Sequence, residues 1–320
     1  MEDKGLRIPD VKTVGILGAG LMGHGLALEF ARAEYNVLMF DSIEDQRHSA
    51  SSRLRASYTT IANMGMAELE SAEETLDRIK VVDSIEDLGA ASDYVLEAVT
   101  EDLDIKKAAF ARLDEVCRPD TVLASNTSAL SPTELGSATD RPNKVVVTHF
   151  FIPPYLLPLV EVVPGKETDA DTMDLAVSVC ESIGKTAIRL TKEVQGFVVN
   201  RLQYAMFREA LSLVQNGIVS PEDVDKATTM SWGNRLAVFG PFKVADIAGL
   251  DTYEFVSKTV FPTLDNGDDV AQFFADKVAS GKYGAKSGEG IYRWPEGALD
   301  EARAQIARHA LFTFGKETPD

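Results

Sequence analysis

His149 stands near the end of an apolar run, Lys144 to Phe150, and Glu161 lies in the next strand-like piece, VEVV from Val160 to Val163. Histidine titrates near neutrality, and a carboxylate can orient its ring and balance its charge, so the pair is equipped to take a proton from a hydroxyl group. Ser125-Asn126-Thr127-Ser128 follows another apolar run, Thr121 to Ser125. Open α/β sheets place ligands beyond the carboxyl ends of their strands, so Ser128 and His149 point toward one crevice. Asn200 comes one helical turn after Gly196, with Phe197, Val198, Val199 and Leu202 as apolar neighbours. Singly, these residues also read as a satisfied strand-end histidine, a solvated glutamate, a helix-capping serine and an asparagine at a domain seam. Only the constellation points to hydroxyl chemistry.

The elements that must position them begin at Thr13, where an apolar run leads into Gly18-Ala19-Gly20-Leu21-Met22-Gly23 and then a helix-like stretch. This is G-x-G-x-x-G in a strand-turn-helix setting, where backbone N–H groups at the helix start can face a pyrophosphate. A tight turn with no ligand is the alternative. Asp41, at the end of the following apolar run and 23 residues after Gly18, favours the nucleotide, because an acidic residue there binds a ribose 2′-hydroxyl. It also repels a 2′-phosphate, and the next residues are Ser42-Ile43-Glu44 rather than an arginine, so NAD is expected over NADP. With NAD bound, hydride would leave the carbon whose hydroxyl proton goes to the histidine.

Further short apolar runs at Tyr94–Val99, Thr121–Ser125 and Lys144–Phe150 alternate with helix-like segments such as Asp104–Cys117. Such alternation predicts a parallel sheet wound on both faces, a Rossmann-type α/β domain. VEVV and TAIRL, on either side of the amphipathic segment Asp171–Ile183, extend it. After Gly196 strand patterns cease and helical ones take over, so the expected division is 1–195 for an NAD-binding domain and 196–320 for an all-α domain.

The composition narrows the partners. Lys and Arg total 32 against 50 Asp and Glu, a formal charge of -18, which repels nucleic acid and anionic membranes but allows a local anion site. The longest apolar stretch, Phe150–Val160, is broken by prolines, and no signal peptide, membrane span or metal site is expected. Cys117 and Cys180 have no disulfide or metal-ligand spacing, which suits a reducing cytoplasm.

The chain resembles the 3-hydroxyacyl-CoA dehydrogenase family from Val11 to Trp294. The resemblance rests on Leu103–Leu135, THFF (Thr148–Phe151), PLVEVV (Pro158–Val163), GFVVNR (Gly196–Arg201), GPFKVADIAGLDT (Gly240–Thr252) and GAKSGEGIY (Gly284–Tyr292). It implies His149 as base, Glu161 as its partner, and Ser128 and Asn200 as contacts to the reacting oxygen. It further implies that NAD is contacted by Glu101, Lys106, Ser128 and Lys286 in addition to the glycine loop, and that the chain forms a homodimer. Two departures bear on the substrate. Ile152 replaces the asparagine of the family's HFFNP, and Ile61–Met66 holds none of the lysines common in acyl-CoA users, leaving Arg53 and Arg55 as possible replacements. Segments 153–168, 199–225 and 234–241 are similar to the branch containing L-gulonate 3-dehydrogenase, lambda-crystallin and carnitine dehydrogenase, which implies a small unesterified hydroxy acid. Arg235 would then grip its carboxylate. The C-terminal part is closer to short-chain 3-hydroxybutyryl-CoA dehydrogenases, which makes such a thioester the alternative substrate. A protein that binds NAD without turnover is an alternative of another class.

Overall fold

The computed structural model describes residues 11–314. In chain order the first elements are β1 (Thr13–Leu17), α1 (Leu21–Arg32), β2 (Asn36–Phe40), α2 (Glu44–Asn63), α3 (Ala72–Asp77), β3 (Ile79–Val81), α4 (Ile85–Ala91) and β4 (Tyr94–Glu97). There follow α5 (Leu103–Val116), β5 (Val122–Ser125), α6 (Pro132–Gly136), β6 (Val145–Phe150), β7 (Leu159–Pro164), α7 (Ala170–Ser182) and β8 (Thr186–Arg189). These strands form one sheet in the order β3-β2-β1-β4-β5-β6-β7-β8.

Alternation along the strands sends side chains to opposite faces, and helices cover both. In β2, Val37 and Met39 face a core with Leu26 and Phe30 of α1, Tyr58 of α2 and Val179 of α7. Leu38 and Phe40 face the other core, which holds Leu88 of α4 and Phe110 and Leu113 of α5. The doubly wound α/β domain expected from the sequence is therefore present.

One strand runs against expectation. β7 pairs antiparallel with β6, while all other neighbours in the sheet are parallel. Only residues 151–158 connect the two strands, and a parallel crossover needs about a dozen residues or more. This reversal sets His149 directly across from Glu161 in the ladder. β3 was not anticipated, since three residues are too few for alternation to register.

The rest of the chain is helical: α8 (Val199–Gln215), α9 (Pro221–Thr229), α10 (Trp232–Leu236), α11 (Pro241–Ala248), α12 (Leu250–Val260), α13 (Gln272–Ala279) and α14 (Ala298–Phe314), with isolated bridges at Gly284, Glu289 and Arg293. Two compact units result. One contains the residues up to Val198 together with those from Gln305 onward, and the other is Val199–Ala304. The divide thus falls three residues beyond the expected 195, and the last helix ends in the first unit rather than the second. The reason is packing: Ala307 and Ala310 of α14 are buried with Leu156, beside Met64, Met66 and Tyr155. Among the described residues no helix is long and apolar enough to cross a membrane.

Candidate active site

The glycine turn is built by steric exclusion. Gly18 has φ 107°, and a Cβ there would lie 2.6 Å from the carbonyl oxygen of Ala98. A Cβ on Gly23 would fall 1.9 Å from the Gly18 carbonyl oxygen, so only glycine lets α1 start this close to β1. At Gly20, by contrast, a Cβ would meet nothing within 4 Å. Gly20 is also the N-cap of α1, with no side-chain cap bond and no acidic residue in the first turn. The helix therefore begins with backbone donors facing open space, which fits a pyrophosphate. Asp41 is fixed beside it, since its Oδ2 accepts the N–H of Ala19 at 2.7 Å and its Oδ1 accepts that of Ile43 at 2.9 Å. Leu21 is exposed and Met22 half-buried. His24 Nδ1 lies 2.7 Å from the Gly20 carbonyl oxygen; burial holds its pKa below the usual imidazole value despite that bond, helped by the nearby Arg53 charge.

The carboxyl ends of β4, β5 and β6 carry the next group. Glu97 is fully buried and accepts from Lys106 Nζ at 2.7 Å, Ser125 Oγ at 2.6 Å and the N–H of Val99 at 2.6 Å. Lys106 is 1 % exposed and also donates to the Val99 carbonyl at 3.3 Å, with Glu101 Oε2 at the same distance. Its charge is spent inside the protein, and Glu101 is the exposed member of the triad. Glu101 Oε1 accepts the Thr127 hydroxyl at 2.5 Å and the Ser128 N–H at 2.8 Å, joining the loops after β4 and β5. Ser128 itself is exposed, and the cap of α6 is Ser131, whose Oγ accepts the N–H of Glu134. Asn126 Oδ1 accepts the N–H of Phe150 at 2.9 Å, tying this loop to the strand that bears His149.

His149 Nδ1 lies 2.8 Å from Glu161 Oε2, with His149 4 % exposed and Glu161 fully buried. The other oxygen of Glu161 accepts the N–H of Val198 at 2.8 Å. Both Gly196 and Phe197 have positive φ, 76° and 52°, and this bend turns the Val198 N–H inward. The His149 ring is flanked by Phe151 and Phe197, with ring centroids 4.4 and 5.7 Å away. A carboxylate at Nδ1 holds the ring proton there and turns Nε2 into an acceptor. Beyond Phe197 is a cavity of about 320 Å³, lined by Leu130, Ser131, Glu134, Glu193, Val194 and their neighbours, with no lysine or arginine.

The first unit thus brings together the glycine turn with Asp41, Glu101 with Lys106 and Ser128, and His149 with Glu161. Asn200 lies in the first turn of α8, Arg235 in the exposed α10 and Lys286 in an exposed turn before Glu289, all in the second unit. Sequence reasoning gave no role to Glu97, Asn126, Thr127 or Val198. For Glu97 a signal existed, a carboxylate within an apolar strand nine residues before a lysine. Among the described residues no group of three His, Cys, Asp or Glu side chains could hold a metal ion.

Residues 13–194 match the family model described as 3-hydroxyacyl-CoA dehydrogenase, NAD binding domain, and residues 196–294 match the corresponding C-terminal domain. The chain belongs to the 3-hydroxyacyl-CoA dehydrogenase family. It is an NAD-dependent oxidoreductase acting on CH–OH groups. Within this family it is 34 % identical over 298 residues, 93 % of the chain and 96 % of the relative, to 5-formyl-3-hydroxy-2-methylpyridine 4-carboxylate 5-dehydrogenase of Mesorhizobium japonicum. A crystal structure of a dehydrogenase of that name, described as an NAD+-dependent dismutase, superposes with a TM-score of 0.88 at 33 % identity, covering 96 % of this chain and all of that one. L-carnitine dehydrogenase of Streptomyces coelicolor is 38 % identical over 75 % of the chain and 74 % of its own length. A probable 3-hydroxybutyryl-CoA dehydrogenase of Bacillus subtilis is 32 % identical over 90 % of the chain and 99 % of its own.

Proposed function

We propose that this family member oxidises a secondary 3-hydroxyl on a small, unesterified carboxylate substrate to a ketone, reversibly, with His149 as the base. The observation that carries this reading is the buried His149–Glu161 pair at 2.8 Å on the strand next to the Ser128 loop. Nε2 of His149 takes the hydroxyl proton, and Glu161 steadies the imidazolium that results. Ser128 and Asn200 polarise the reacting oxygen. Bound NAD supplies the hydride acceptor. Gly18 to Gly23 cradle its pyrophosphate, Asp41 holds the adenosine ribose, and Glu101, Lys106 and Lys286 serve its nicotinamide side, Lys106 by way of Glu101. The unit up to Val198, completed by the residues from Gln305, acts as the cofactor domain and Val199–Ala304 as the substrate and pairing domain.

The unesterified substrate is favoured by the state of the two arginines that could have replaced the missing lysines. Arg55 is paired with Glu73, and Arg53 with the side chain and carbonyl of Gln46. The cavity beside Phe197 carries Glu134 and Glu193 and no cation, a poor setting for a polyphosphate. Arg235 is then the grip for a carboxylate. The names of two relatives, a pyridine carboxylate dehydrogenase and an L-carnitine dehydrogenase, support an unesterified substrate. A short 3-hydroxyacyl-CoA is the second reading, favoured by the Bacillus relative. Comparing kcat/KM for L-3-hydroxybutyryl-CoA with that for free 3-hydroxy acids, including L-gulonate and carnitine, separates them. A hundredfold preference for the thioester, about 2.7 kcal/mol in transition-state binding, would reject the first reading.

The assembly we propose is a cytoplasmic homodimer. Within Val199–Ala304 only Gly290 is buried among the described residues, while Met230, Phe242 and Phe255 are more than 70 % exposed. A helical unit without a buried core of its own needs another surface, and a second copy supplies one. Sedimentation equilibrium of the full chain tests this. Both cysteines are free and buried, as a reducing compartment allows.

A further inference from the structure

Arg47 lies six residues beyond Asp41, in the first turn of α2, and the turn of chain between them folds it back. Its Nη1 donates to the Asp41 carbonyl at 2.5 Å, and its guanidinium sits over the Phe40 ring, 5.4 Å from the centroid. Phe40 faces the same side of the sheet as Val99, so the guanidinium is held at the edge where β2 and β4 end. Among the described residues no carboxylate lies within ion-pairing distance of it. Asp41 meanwhile fills a small nest, with Ala19 N–H at 2.7 Å and Ile43 N–H at 2.9 Å on its two oxygens. Two backbone N–H groups hold the carboxylate and the guanidinium holds the carbonyl oxygen of the same residue, so three donors converge on Asp41, and the anion among them is the protein's own carboxylate.

We propose that Arg47 is a second determinant of cofactor choice, flanking the adenosine ribose, and that the Asp41 carboxylate alone keeps a 2′-phosphate out of a site otherwise ready for it. The argument rests on the placement of the ribose at Asp41 proposed above. An arginine is the residue that accommodates a 2′-phosphate in nucleotide sites of this kind, by charge-assisted bonds from its planar fork. With a neutral side chain at position 41, the N–H of Ala19 and the guanidinium of Arg47 would be offered to the phosphate. With Asp41 in place, Arg47 packs beside the ribose and offsets part of the carboxylate's charge.

The test is fluorescence titration of NADH and NADPH into the full-length protein, native and as Asp41→Ser, Arg47→Ala and Asp41→Ser/Arg47→Ala. Serine keeps a short oxygen for the Ile43 N–H, so the turn survives the change. The expected result is that Asp41→Ser weakens NADH and tightens NADPH, the latter on the order of tenfold or more, and that adding Arg47→Ala abolishes the NADPH gain. Arg47→Ala alone weakens NADH severalfold. If the double variant binds NADPH as tightly as Asp41→Ser, or if Asp41→Ser loses NADH affinity without gaining NADPH, the role given to Arg47 is wrong. If Asp41→Ser binds NADH as the native chain does, the ribose is not at Asp41, and the proposal falls together with that placement.

Discussion

His149 and Glu161 stand directly opposite each other in an antiparallel ladder, and their side chains meet at 2.8 Å while the second oxygen of Glu161 takes the N–H of Val198. One carboxylate therefore sets the histidine tautomer and anchors the start of the connection to the helical unit. Glu161→Gln keeps an acceptor for Val198 but turns an NH2 group toward Nδ1, so the ring proton is driven to Nε2, the nitrogen that must accept. The expected loss in kcat is on the order of 10²–10⁴, with NADH affinity unchanged by fluorescence titration. His149→Ala should lose a similar factor, and retention of native kcat in either variant would remove the pair from the mechanism.

Lys106 is the buried counter-charge of Glu97. Lys106→Met leaves that carboxylate without its cation in a fully enclosed position, a change that typically costs about 3–5 kcal/mol. Urea denaturation should register it as a lower midpoint with an unchanged slope. Lys106→Met/Glu97→Gln should recover much of the stability, while its affinity for NAD stays low because Glu101 has lost its neighbour.

His24 gives stability a dependence on pH. Burial depresses its folded-state pKa below the unfolded value of 6.5, so the unfolded chain binds more protons in this window and stability falls as pH drops through it. His24→Gln should flatten the Tm profile between about pH 7.5 and 5.5, relative to the native chain. Parallel profiles would show that His24 does not contribute.

Burial pushes the Cys117 thiol up to about 11, against the pull of Arg141 and Arg118, and Cys180 is raised further. Neither should react with a thiol reagent at pH 8 in the native protein, and both should react in denaturant. Fast labelling of the native chain would mean that α5 or α7 opens readily.

Much of this was legible in the residues. The strands, the glycine turn and Asp41 announce themselves because apolar alternation and φ restrictions act locally. His149 and Glu161 were chosen by residue type, yet their opposition depends on the reversal of β7, which the short connection 151–158 forces. Other features required the folded chain. Lys106 reads as an ordinary helix lysine until Glu97 is seen beneath it, and Arg47 is separated from the nucleotide turn by sequence and returned to it only by the bend into α2. Asn200, Arg235 and Lys286 belong to a unit in which Gly290 alone of the described residues is buried, where pattern alone gives little register.

The placement of Ala307 and Ala310 against Leu156 has a consequence for synthesis. The cofactor unit includes residues from both ends of the described chain, with the 106 residues of the helical unit between them. During translation at about 5–20 residues per second, the sheet and its helices must wait roughly 5–20 s after β8 emerges before the last piece of their own core exists. Until then Leu156, Met64 and Met66 present an uncovered apolar patch on the nascent chain, and a transcript truncated before α14 would leave that patch open for good.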